Sequence, residues 1–291
     1  MATFTRPRAP APDRAIPAEG PHGRPLAPHA AASTSRFDRI DGLRGLALLW
    51  MASFHFCFDL SNWRLLDASF YADPFWLTQR TLILSTFLLC AGAGQAVATA
   101  QGQSWRRFWR RWAQVMGCAL VVTAGSWWMF PHSYISFGVL HGMALMLIIA
   151  RLTANWRAWL WPLGLVAVLL PQFFSHPWFD TRATNWIGLV THKPITEDFV
   201  PVLPWLGVMW WGLAGTQWLM AHRPGWLGAS GGTARAPQAP ASSDNHTLAA
   251  KAWRGLVTLG QWSLTFYMVH QPLMLATLAG WMALQGRVIP L

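Results

Sequence analysis

Charge is scarce in this sequence: 11% of its 291 residues are Asp, Glu, Lys or Arg, where a soluble domain carries about a quarter. A disordered chain needs more charge and less hydrophobicity, so that class is excluded, and an ordinary cytosolic enzyme is disfavoured. Acidic residues are scarcest, 11 against 22 basic ones, leaving a net charge of +11. A basic balance often signals nucleic acid. Here the basic residues interrupt apolar sequence, so no nucleic-acid partner is expected. Cysteine is nearly missing as well. Cys57, Cys90 and Cys118 lie inside apolar runs with no metal-ligand spacing and no pairing pattern. They read as buried thiols, and no metal is expected. What abounds is apolar: 53% hydrophobic residues and 21 tryptophans, with a mean hydropathy of +0.27. The expectation is an all-α, polytopic integral membrane helix bundle.

Residues 1–35 are rich in Ala and Pro, carry Arg6, Arg8, Arg14 and Arg24, and lack an apolar run. They read as a disordered tail without the hydrophobic stretch of a signal peptide. Seven stretches long enough to cross hydrocarbon follow, at 42–60, 75–100, 110–130, 134–151, 158–173, 200–220 and 261–284. The fifth is short and bracketed by Pro162 and Pro171. Residues 174–199 form a polar loop, 221–251 a Gly/Ala/Pro/Ser linker, and 285–291 an end beyond the last helix. The transmembrane domain is therefore 36–284.

Lys and Arg concentrate in cytoplasmic loops. With the N-terminus inside, that side holds the tail, Arg106, Arg107, Arg110, Arg111, Arg151, Arg157, Arg223, Arg235, Lys251 and Arg254. The outer side keeps Arg64, Arg182, Lys193 and Arg287, with Arg80 just inside the second helix. The expected arrangement is a multi-pass protein with its N-terminus in and C-terminus out.

A charge at the centre of a membrane helix costs about 2.5–3.5 kcal/mol on insertion scales, so each needs a reason. Arg44 and His55 lie three turns apart on one face of the first helix, roughly 16 Å along its axis. Asp59 follows one turn later. Arg44 alone would be read as snorkelling to lipid phosphate. Three ionisable groups on one face favour a site. His141 in the fourth helix and His270 in the seventh fall at similar depth to His55, and the three are expected to converge. A lone membrane histidine would more often be a helix–helix hydrogen bond. Arg80 is placed either in an ion pair with Asp59 or Asp73 or against a substrate. The run Ser104-Trp105-Arg106-Arg107-Phe108-Trp109-Arg110-Arg111 satisfies positive-inside anchoring. It also suits a polyphosphate, which Arg binds through a bidentate fork.

Several motifs together resemble a known family. Arg39-Ile40-Asp41-Gly42-Leu43-Arg44-Gly45 leading to His55-Phe56-Cys57-Phe58-Asp59-Leu60 is similar to the opening of the heparan-alpha-glucosaminide N-acetyltransferase catalytic-domain family, in its bacterial branch. So are Phe87 to Gly92, Phe137-Gly138-Val139-Leu140-His141, Asn185 to Leu189, Asp198 to Trp205, and Tyr267-Met268-Val269-His270-Gln271-Pro272. The likeness covers residues 36–284. The spacing from Arg44 to His55 also resembles the wider membrane acyltransferase superfamily, including acyltransferase family 3. The lysosomal branch uses a histidine in the lumenal loop after the first helix. Residues 61–73 contain none, and His55 stands where that branch has Asn, so either the role passes to His55, as in acyltransferase family 3, or this branch carries out a different reaction.

The resemblance implies an acyl-CoA-dependent O- or N-acetyltransferase of the bacterial inner membrane, delivering an acetyl group to a sugar or other small hydroxyl or amine at the outer face. Arg44 with Arg106, Arg107, Arg110 and Arg111 would hold the acetyl-CoA phosphates. His55 would be general base or acyl carrier, with Asp59 orienting it. Arg80, His141, Asn185, Asp198, His270 and Gln271 would line the acceptor's mouth. Membrane lipid surrounds the bundle, and a homodimer stays open. The rival readings are a b-type haem electron carrier ligated by His55, His141 and His270, and a non-enzymatic transporter or assembly protein.

Overall fold

The computed structural model describes residues 36–227, 229–230 and 248–286. The expected tail at 1–35, most of the expected linker and the last five residues lie outside the described residues. The described residues form α1 (Asp38–Asn62), α2 (Pro74–Ala100), α3 (Trp105–Met129), α4 (Val139–Thr153), α5 (Leu160–Phe173), α6 (Val202–His222), α7 (Leu248–Gln261) and α8 (Ser263–Leu284). A two-residue antiparallel pairing of Arg36–Phe37 with Ala229–Ser230 is the only strand structure among them. Three stretches are long and apolar enough to cross a membrane by length and composition, Asp38–Asn62, Pro74–Ala100 and Val139–Phe173.

Local chemistry sets the helix starts. Asp73 caps α2 by accepting from the Phe75 N–H at 2.8 Å, with Pro74 at the first helical position. Ser104 does the same for α3, which therefore begins at Trp105 and takes in the arginine run. Asp38 and Asp41 in the first turn of α1 complement its dipole. The fourth helix starts at Val139 instead of 134, because Pro131 to Gly138 turn as a loop, held where the Ile135 N–H donates to Ser126 Oγ. A 3-10 segment at Ala154–Trp159, with Arg157 at φ 46°, joins α4 to α5.

Two apolar clusters share α2. Leu84 and Leu88 of α2 pack with Met146 of α4, Leu160 of α5, and Leu206, Met209 and Leu213 of α6. On the other side Ile83 meets Leu48 and Met51 of α1, with Leu259, Phe266 and Tyr267 of α7 and α8 against them. Close helix approach depends on glycine. A Cβ on Gly212 would collide with the Leu89 carbonyl, and one on Gly45 with the Leu256 carbonyl. Small residues at crossings are how membrane helices pack without a hydrophobic driving force between them. The outward faces are apolar: Trp127 and Trp128 of α3 and Val166 of α5 are exposed, Trp128 at 85%. In water such a surface would drive association; facing lipid it is at rest.

α7 was not expected as a separate helix. It starts within the stretch expected as linker and ends where the last membrane helix was expected to begin. At 14 residues it is too short to span hydrocarbon, which takes about 20. Its apolar face, Trp253 and Leu256, lies on Gly42 and Gly45 of α1, while Lys251 and Arg254 are exposed.

Candidate functional site

The first and last described helices meet through four polar side chains. Asp59 of α1 is 4% exposed, and the Gln271 amide of α8 donates to both its oxygens, at 2.9 and 3.0 Å. One turn back along α1, the His55 ring lies 5.3 Å from the His270 ring, inclined at 62°. His270 is 8% exposed; its Nδ1 lies 2.8 Å from the Tyr267 carbonyl and 3.2 Å from that of Phe266. Carbonyls only accept, so Nδ1 carries the proton and Nε2 presents a lone pair. Among the described residues that Nε2 is buried with no partner, as is Gln271 Oε1. Phe266 stacks on the His270 ring at 5.6 Å, and Phe54 meets His55 edge-on at 5.9 Å. His55 is only partly buried and makes no side-chain hydrogen bond among the described residues. A positioned imidazole without a structural partner is free to exchange a proton.

Two of the three histidines expected to converge therefore do. His141 instead sits against α3, its Nε2 3.2 Å from Thr123 Oγ1 and its Nδ1 accepting from the Gly138 N–H at 3.4 Å. Touching rings at 5.3 Å leave no room for a porphyrin between His55 and His270, which disfavours the haem reading. Gln271, expected at the acceptor's mouth, is engaged with Asp59. No hydrogen bond joins Asp59 to His55 among the described residues.

Beyond Asp59 the chain turns at Arg64, which has a φ of 57°. There a cleft of about 360 Å³ opens, walled by Phe58, Ser61, Asn62, Asp67 and Tyr71. No motif marks it, since its shape comes from the turn at Arg64. The other residues expected at this end belong to the 174–201 loop and its neighbours. Asp198 accepts from the Val139 N–H at 2.6 Å, capping α4 where Gly138 has no side chain to do so. Burial pushes the Asp198 carboxyl up from its ordinary value, opposed by the Val139 bond and by the charges of Lys193 and Arg80. Burial likewise lowers the Lys193 ammonium, whose Nζ lies 5.3 Å over the Tyr71 ring. Arg80 is exposed on α2 and acts here as a neighbouring charge. Neither acid once matched with it waits for a cation: Asp59 holds Gln271, and Asp73 caps α2. Asn185 is buried with its Oδ1 unpartnered.

At the opposite end Arg44 donates to Asp41 Oδ1 at 2.9 Å and to the Cys90 carbonyl of α2 at 3.4 Å, within reach of Gly94. Arg106, Arg107, Arg110 and Arg111 are exposed on the first turns of α3. Arg151 was counted only as a positive-inside charge. It stacks over Trp105 at 5.2 Å and donates to the Gln103 carbonyl, fixing the start of α3 on the end of α4. Its signal in the sequence, one Arg at a helix end, is indistinguishable from anchoring.

The family model described as heparan-alpha-glucosaminide N-acetyltransferase, catalytic, matches residues 36–272. No curated protein and no solved structure matches the chain.

Proposed function

The chain belongs to the heparan-alpha-glucosaminide N-acetyltransferase catalytic family, and from that premise we propose that it moves an acetyl group from cytoplasmic acetyl-CoA to a sugar hydroxyl or amine at the outer face. Membership makes it a membrane acetyltransferase. The observation that carries the finer reading is His55: partly open, without a side-chain hydrogen bond among the described residues, and one turn from a buried carboxylate.

In this reading the N-terminus lies inside, seven helices cross the inner membrane, and α7 rests against the inner half of α1. Arg44 and the arginines at the start of α3 then share the cytoplasmic side, where guanidinium forks suit the phosphates of the donor. The pantetheine arm runs outward along α1 over the roughly 16 Å from Arg44 to His55. The acceptor arrives from the outer side, by way of the cleft at residues 58–71, with Arg80, His141, Asn185 and Asp198 at the surrounding surface. His55 takes the proton from the acceptor as its oxygen or nitrogen attacks the thioester carbonyl. The carbon–sulfur bond breaks, and the CoA thiolate recovers that proton. Asp59 acts as a fixed negative charge that favours the imidazolium form. Its clamp by Gln271 holds the C-terminal end of α1 against the middle of α8.

The test is reconstitution in lipid vesicles with acetyl-labelled CoA on one side and glucosamine on the other. Label on glucosamine supports direct transfer, and label held by His55 supports an acyl-enzyme route. Label on neither, with no donor binding, defeats the reading.

A further inference from the structure

His270 is the residue whose environment the proposed transfer leaves unexplained. Its Nδ1 is committed to two carbonyls of its own helix, at 2.8 and 3.2 Å, and Phe266 stacks on the ring at 5.6 Å, so both tautomer and plane are fixed. The remaining nitrogen, Nε2, is an acceptor only, buried and without a partner among the described residues. A buried unmet acceptor is destabilising, and helix packing alone gives no reason to keep one. The ring nearest to it in this region is His55, 5.3 Å away centre to centre. Two imidazoles at that separation are close enough for a turn of one ring to join its N–H to a lone pair of the other. Catalytic hydrogen bonds are often long before substrate binds.

We infer that His270 is the positioning residue for His55: its Nε2 accepts the N–H of one His55 nitrogen and thereby turns the lone pair of the other toward the acceptor. This rests on the acyl-transfer reading with His55 as base. When His55 takes the acceptor's proton on its free nitrogen, its opposite N–H proton passes to His270 Nε2. His55 is neutral again and His270 holds the charge. The proton returns by the same path to the CoA thiolate, so the pair ends unchanged. Asp59 lies one turn from His55 on α1 and is bonded to Gln271, the residue after His270 in α8.

Two side chains separate the functions of the two nitrogens. Asn places an N–H donor near the position of Nδ1 and nothing near that of Nε2; Gln places an acceptor near Nε2 that cannot take up a proton. Diethyl pyrocarbonate attacks neutral imidazole, and modification of His55 read by mass spectrometry needs no acceptor substrate. In the full-length protein in vesicles, His270→Asn is expected to slow modification of His55, while His270→Gln keeps it near the wild-type rate. Transfer from acetyl-CoA to glucosamine should fall by about a hundredfold or more in kcat in His270→Asn, with the glucosamine KM unchanged, and by less in His270→Gln. Equal modification of His55 in wild type and His270→Asn overturns the inference, as does a variant that alters KM and leaves kcat. If His55→Ala itself still transfers acetyl groups, the base assignment fails, while the modification rates still report on the pair.

Discussion

Gln271 donates to both oxygens of Asp59, so the C-terminal end of α1 and the middle of α8 are joined through a single buried carboxylate. The amide is the only hydrogen-bonding partner that the Asp59 side chain has among the described residues. Replacing Gln271 with Leu should leave the carboxylate buried and unmet and cost about 1–3 kcal/mol. Gln271→Glu should cost more, because two carboxylates would then face each other. Thermal unfolding in detergent measures both. A melting temperature unchanged in Gln271→Leu would mean that the clamp contributes nothing.

His55 separates chemistry from packing. General-base catalysis is worth about 10²–10⁴-fold, whereas a membrane hydrogen bond averages about 0.6 kcal/mol. His55→Ala should therefore abolish acetyl transfer and leave expression, detergent stability and donor binding nearly unaltered. Transfer at the wild-type rate would make the residue structural.

The arginines at the start of α3 distinguish anchoring from recognition. Exchanging Arg106, Arg107, Arg110 and Arg111 for Lys keeps the positive charge and loses the bidentate fork. Insertion should be normal, acetyl-CoA affinity lower, and the residual affinity weaker in salt. Affinity equal to wild type would assign these residues to the membrane surface alone.

Gly45 is where α7 rests on α1. A Gly45→Val side chain meets the Leu256 carbonyl, and forcing bulk into a packed contact costs about 1–3 kcal/mol. The expected result is a lower melting temperature together with faster proteolysis near α7. Gly117→Val on α3, where a Cβ meets nothing within 4 Å, serves as the control.

Asp180 gives a pH-dependent reporter in the 174–201 loop. It accepts from the Thr191 hydroxyl at 2.6 Å and the Thr191 N–H at 2.8 Å, and these bonds hold its carboxyl below the ordinary Asp value. A lowered folded-state value means the bonded form is fully present above the ordinary carboxylate range and is lost as pH falls through the lowered value. Amide exchange at Thr191 should lose protection under acid in the wild type. In Asp180→Asn that acid-dependent loss should vanish.

Much of the bundle was legible because membrane helices announce themselves by length and hydropathy. The four-residue step from His55 to Asp59 and the depth of His270 were enough to bring α1 and α8 to one place. α7 escaped because a short amphipathic helix after a Gly/Ala/Ser stretch has neither the length nor the hydropathy of a span. The contact of His141 with α3 is hidden in the sequence for a different reason. Depth along a helix can be read from sequence, but the face turned toward a neighbour depends on helix rotation, and α4 turns His141 to Thr123. The engagement of Gln271 with Asp59 was equally hidden, since both residue types suit a substrate as well as each other.

Asp59 and Gln271 stand 212 residues apart in the chain, on the first and the last of its long helices. A ribosome feeding the membrane delivers α1 at the outset and α8 at the end. Through almost the whole of synthesis Asp59 has to shelter in the bilayer without its amide, and His55 without its neighbouring imidazole. The contact between α1 and α8 therefore forms late. A polypeptide stopped before residue 263 would hold Arg44, the arginines of α3 and His55, yet it would lack both His270 and Gln271.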